Sequence, residues 1–197
     1  AQEAGVDAIY TDAEKMIKEA DIDAVDICSP HALHLPHVVA AAEAGKHVLV
    51  EKAMANTMQD CRDMIEATDK AGVTFMVAQH LRHTPSARTV RDIIESGELG
   101  TIRAARTDVI MNATGTLRDS HWMLDGKPGG GGVGITNTIH LVDLLRYFIG
   151  NVKTVSAVSK MVSPRLINNA EDHLCATLEF ENGAVGTVFC LWTVSRS

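Results

Sequence analysis

Three short apolar runs, separated by amphipathic stretches and joined by only a few residues, constrain this chain more than any other feature. Ala24 to Cys28, His47 to Val50 and Val73 to Ala78 read as strands. Between the first two, Pro36 suits the first turn of a helix and Gly45 suits its C-terminal stop. Between the second and third, Thr57 with Asp60 caps a helix whose stripe is Cys61, Met64, Ile65 and Thr68, ending near Gly72. An earlier helix opens at Thr11-Asp12-Ala13-Glu14, which has the spacing of a capping box, and continues through Met16, Ile17 and Ala20. Strand, helix, strand, helix, strand with short connections implies parallel strands and right-handed crossovers, part of a doubly wound sheet. Such sheets bind ligands beyond the carboxyl ends of their strands. Loops 29–34, 51–56 and 79–85 are therefore where a site is expected.

The pattern changes after about residue 83. Pro85 opens a helix that reaches Glu95, and Thr101 to Met111 reads as a long strand. Residues 112–132 are polar and glycine-rich, too long for an idle connection. Val133 to Ile149 reads as a helix and Thr154 to Lys160 as a strand. Two alternating runs on either side of Asn182-Gly183 form a hairpin, since Asn-Gly supplies the tight turn that such pairs use. The expected fold class is α/β: a partial Rossmann domain over 1–83, followed by a partial α/β domain over 84–197 with a largely antiparallel open sheet. Both ends read as the middle of a pattern, so a fragment of a longer chain is expected.

Composition narrows the function classes. Eighteen Lys and Arg against 25 Asp and Glu give a net charge of −7, which disfavours a general nucleic-acid binder. No apolar run reaches the roughly 18 residues of a membrane helix, and no basic-then-apolar leader is visible, so a cytoplasmic protein without a membrane partner is expected. Cys28, Cys61, Cys175 and Cys190 are far apart and show neither zinc nor redox-pair spacing. His31, His34 and His37 recur every third residue, but Pro36 interrupts them and no acidic or thiol partner is close in sequence, so no metal is expected. An open apolar sheet face points to homo-oligomer packing.

Two residues stand out chemically. Lys52 sits at the carboxyl end of a strand beside Glu51, where burial can lower an amine's pKa into a useful range. The plain alternative is a solvent-facing loop lysine. His140 lies inside an otherwise apolar helix, with Asn137 and Asp143 three residues to either side. It reads as a proton shuttle or as a hydrogen-bonded core histidine. Trp122 beside His121 reads as a stacking residue or as an apolar anchor. Gly129 to Gly132 lacks the context of a phosphate loop and reads as a mobile or closely packed segment.

Several stretches together resemble the glucose–fructose oxidoreductase/inositol dehydrogenase/MocA family. They are Ala24 to Pro30 with His34, Ala44 to Lys52, Gln79 to Pro85, Ser96 to Gly100, Gly130 to Gly132 leading to His140 and Asp143, and Phe180 to Ala184. The resemblance spans nearly all of this chain but only the middle of a family member. It implies a dehydrogenase or reductase that uses NAD or NADP on a small-molecule substrate, a sugar, inositol or related cyclic polyol or its carbonyl form. By the same resemblance Ser29, Pro30, His31, His34, Glu51, Lys52, Gln79 and Arg82 border the cofactor. Lys52 and His140 are the implied catalytic pair, and Trp122, Thr136, Asn137 and His140 the implied substrate contacts.

Three departures bear on this expectation. The glycine-rich dinucleotide turn would lie upstream of Ala1. The family's Glu-Lys-Pro reads Glu51-Lys52-Ala53, and Thr136 stands where many members carry an aspartate four residues before the histidine. Two other functions remain compatible: a nucleotide-binding regulatory relative, and an NAD-dependent glycosidase without net redox.

Overall fold

The computed structural model describes residue 5 and residues 8–194. The chain divides into two compact units, residues 1–78 and 79–197.

The first unit contains α1 (Ala13–Glu19), β1 (Ala24–Ile27), α2 (His34–Glu43), β2 (His47–Val50), α3 (Met58–Ala71) and β3 (Phe75–Val77). Its strands pair in parallel in the order β1-β2-β3, with Ala24 opposite His47 and Val48 opposite Phe75. Val25, Ile27, Val48 and Val50 point to one face and join Ile17, Val38, Ala41 and Met64 from the three helices in one core. The other face is open: Leu49 and Met76, paired in register, are 36% and 50% exposed.

Helix ends follow local chemistry. The Thr57 hydroxyl accepts the Asp60 N–H at 3.1 Å, as the spacing predicts. At α1 the cap is Asp12 rather than Thr11, its carboxylate accepting the Lys15 N–H at 3.0 Å. A carboxylate is the stronger acceptor at the positive end of a helix. α2 begins at His34 after a 3₁₀ turn over His31–Leu33, with Pro36 still inside its first turn.

The second unit contains α4 (Pro85–Glu95), β4 (Ala104–Ile110), the short helices α5 (Ala113–Thr116) and α6 (Gly126–Gly129), α7 (Ile139–Ile149), β5 (Val152–Lys160), β6 (His173–Phe180) and β7 (Val185–Leu191). The sheet order is β4-β7-β6-β5. The Asn182-Gly183 hairpin forms as expected, and β5 and β6 are also antiparallel, but β4 joins β7 in parallel. Ala176, Leu178, Phe180, Val188, Cys190 and Trp192 share one face and pack with Val133 and Leu145. A π-helical turn over Gly134–Thr138 leads into α7. Among the described residues no helix is long and apolar enough to cross a membrane.

Candidate active-site residues

In the first unit the loops after β1 and β2 are tied together by histidines. His34 is fully buried, and its Nε2 lies 2.9 Å from the Ser29 carbonyl oxygen. Its Nδ1 lies 2.9 Å from the Ala53 carbonyl oxygen and 3.2 Å from that of Met54. His31, also buried, accepts the Ala53 N–H on Nε2 at 3.2 Å. The two imidazoles meet edge to face with centroids 5.6 Å apart. His37 goes elsewhere, its Nδ1 lying 3.3 Å from the Ser29 hydroxyl. The three histidines thus grip chain segments, and among the described residues no group of three metal-ligating side chains forms.

Lys52 lies in this clamped segment, and the peptide bond between Lys52 and Ala53 is cis. The lysine is half-buried, and burial pushes its ammonium below the usual lysine range while the Glu51 carboxylate opposes that shift. Glu51 also accepts the Lys52 backbone N–H at 3.1 Å. Ser29, His31, Glu51 and Lys52 therefore sit in two loops at the carboxyl ends of β1 and β2, which His34 at the start of α2 ties together. Pro30 caps the turn that begins at His31.

In the second unit His140 lies on the first turn of α7, and its ring meets His80 edge to face at 5.0 Å. Arg82, on the same 3₁₀ turn as His80, donates from both its Nε and one terminal nitrogen to Asp143, the Nε bond being 2.9 Å. Its guanidinium also lies 5.5 Å from the centre of the Tyr147 ring. Arg82 is thus occupied by α7. Gln79, just before this turn, buries its side-chain oxygen without a hydrogen-bond donor among the described residues.

The π-helical turn places the remaining candidates. Thr136 is buried. Asn137 Oδ1 accepts the indole N–H of Trp192 at 2.8 Å, which anchors this turn to the chain beyond β7. Glu171 braces the start of the turn, its two oxygens accepting the N–H groups of Gly132 at 2.9 Å and Gly134 at 2.7 Å. Trp122 stacks on His121 in a separate hollow of about 340 Å³ lined also by Asp119, Asp125 and Arg165. His80, Glu171 and Trp192 carry no local pattern that marks them; their partners lie far away in sequence.

Comparison with known proteins fixes the lineage. Residues 87–197 match the model of the GFO/IDH/MocA C-terminal domain, and residues 1–79 match the oxidoreductase family with an NAD-binding Rossmann fold. This chain belongs to the Gfo/Idh/MocA oxidoreductase family. Within that family it is 31% identical, over 94% of its length, to 1,5-anhydro-D-fructose reductase of Ensifer adhaerens, covering 55% of that protein. It is also 31% identical, over 93% of its length, to myo-inositol 2-dehydrogenase of Thermotoga maritima, covering 54% of it. Levoglucosan dehydrogenase, solved with NADH and levoglucosan, superposes with a TM-score of 0.89 at 29% identity, covering 98% of this chain and 54% of that one. The chain thus spans about half the length of these Gfo/Idh/MocA relatives. The NAD-binding match coincides with the unit that carries Lys52, and the C-terminal-domain match with the unit that carries His140.

Proposed function

We propose that the protein is an NAD(P)-dependent oxidoreductase that interconverts a hydroxyl and a carbonyl on a sugar, an inositol or a related cyclic polyol. The observation that carries this reading is Lys52: an amine half-buried at the carboxyl end of a parallel strand, beside one carboxylate, on a loop braced by two buried histidines. The family relatives act in the same sense, being named as reductases and dehydrogenases of sugars and inositol.

The residues present fit a nicotinamide cofactor. The loops after β1 and β2 end a parallel sheet, and the buried acceptor oxygen of Gln79 suits a ligand that brings an amide N–H. Ser29, Pro30, Glu51, Lys52 and Gln79 would border it. When bound, the cofactor supplies or takes up the hydride at the substrate carbon. This chain's own residues handle the rest. The Lys52 ammonium donates a hydrogen bond to the reacting oxygen and stabilises the negative charge that grows there. The His140 imidazole takes the hydroxyl proton in oxidation and returns it in reduction. Trp122 offers an apolar face to a sugar ring, and Thr136 and Asn137 shape the polar wall of the His140 turn. His31, His34 and Arg82 act through the loops and helix they hold. Self-association through the open sheet faces, where Val158 and Val185 are more than half exposed, completes the reading.

The test is nicotinamide fluorescence of the intact protein on addition of sugars and inositols. A steady change that requires Lys52 and His140 supports the reading. Binding without turnover would favour a regulatory relative, and sugar release at constant cofactor a glycosidase; either would overturn it.

A further inference from the structure

We propose that His31 is a positioning residue for Lys52, acting through the backbone N–H of Ala53. The inference rests on the reading that Lys52 holds the reacting oxygen. In the family pattern a proline follows the lysine, and proline has a fixed φ and no N–H. Ala53 brings instead an N–H into a place that is 2% exposed. A buried N–H requires an acceptor, and the acceptor is Nε2 of His31 at 3.2 Å. That bond sets the tautomer of His31, with Nε2 bare and the proton on Nδ1. On its other side Ala53 is held by its carbonyl, 2.9 Å from Nδ1 of His34.

Ala53 is therefore gripped at both its N–H and its C=O, and Lys52 is the residue directly before it. The backbone N–H of Lys52 is taken in turn by Glu51. What a proline ring would do by covalent stiffness, His31 does here by a hydrogen bond. The consequence is specific: His31 matters to Lys52 only while residue 53 carries an N–H. Burial pushes the Lys52 ammonium below its usual range, and on this proposal a loss of the grip would let the side chain out of that half-buried setting.

The experiment is a double-mutant cycle in the full-length protein with His31→Ala, Ala53→Pro and both together. The lysines are dimethylated with ¹³C-formaldehyde, the Lys52 signal is assigned by its loss in Lys52→Met, and its titration is followed by NMR. That readout needs no turnover, so it stands even where the proposed activity fails. His31→Ala is expected to move the Lys52 titration up toward that of an ordinary lysine. It should also lower kcat about tenfold, with KM for the cofactor within about twofold, the signature of a misplaced group rather than a lost binding contact. His31→Gln, whose side-chain oxygen can accept the same N–H, restores most of both. His31→Phe fills the ring's space without an acceptor and repeats the loss, which separates the bond from packing. In the His31→Ala background Ala53→Pro, whose ring takes the space the imidazole leaves and supplies the stiffness the hydrogen bond gave, is expected to restore both readouts. An unmoved Lys52 titration in His31→Ala and His31→Phe, or a failure of Ala53→Pro to restore it in His31→Ala, overturns the proposal.

Discussion

Arg82 holds Asp143 through two parallel hydrogen bonds, fastening the turn that carries His80 to the helix that carries His140. The Asp143 side chain is only 10% exposed, so its carboxylate has given up most of its water for this one partner. The bidentate fork is specific to guanidinium. Asp143→Asn and Arg82→Lys are each expected to cost about 1–2 kcal/mol, discounted because Arg82 is partly solvated. They should also lower kcat more than they raise KM. Urea unfolding and steady-state kinetics of the two variants check both effects.

Lys52 is pulled in two directions: burial favours the neutral amine, and Glu51 favours the ammonium. Glu51→Gln removes only the second influence, so the Lys52 titration falls further. In the proposed mechanism the ammonium is the form that holds the oxygen, so the alkaline fall of the rate should begin at lower pH in that variant. The stability sign is the opposite of an ordinary ion pair. A lysine whose folded pKa lies below its usual 10.5 weakens the fold at lower pH, and the penalty disappears as pH rises past that value. Lys52→Met should therefore keep or raise Tm near neutral pH while lowering kcat by about 10²–10⁴. pH–rate profiles and thermal unfolding decide this.

What was legible in the sequence was what local periodicity and short-range hydrogen bonds decide. β1 and β2, the Thr57 cap and the Asn182-Gly183 hairpin all depend on neighbours within a few residues. The parallel pairing of β4 with β7 joins segments about eighty residues apart and leaves no local trace. The π-helical turn is equally silent, because it is set from outside by Glu171 on one end and by Trp192 through Asn137. Lys52 and His140 stood out by residue type and place. The braces around them, His34 to Ala53 and Arg82 to Asp143, follow only from the fold.

The glycines before the π-helical turn differ sharply in what they tolerate. A Cβ on Gly132 would lie 1.9 Å from the carbonyl oxygen of Glu171, a backbone atom that cannot step aside. A Cβ on Gly129 would first meet the Trp122 carbonyl oxygen at 3.7 Å, an ordinary contact. Gly132→Ala is expected to destabilise by about 3 kcal/mol or more and to release the Glu171 brace, whereas Gly129→Ala stays within about 1 kcal/mol. Denaturant midpoints of the two variants give the comparison, and equal midpoints would contradict it.

Asp172 tests the acid limb of stability. It is fully buried, which by itself pushes its carboxyl up, yet the hydrogen bonds from His173, Ser163 and Val162 outweigh that and hold it below its usual 3.8. One oxygen accepts from Val162 N at 2.8 Å and lies 2.9 Å from His173 Nδ1; the other accepts from Ser163 N at 2.8 Å. A carboxylate with a depressed folded pKa contributes stability above its unfolded value and loses it as pH falls through the folded one. Asp172→Asn replaces one acceptor oxygen by an NH₂ that faces an N–H, so two donors meet without an acceptor. The variant should lose about 2–4 kcal/mol near neutral pH, and its stability should fall less steeply than the parent's below pH 4. Urea midpoints between pH 3 and pH 7 measure both slopes, and parallel acid limbs would show that Asp172 is not the group that titrates.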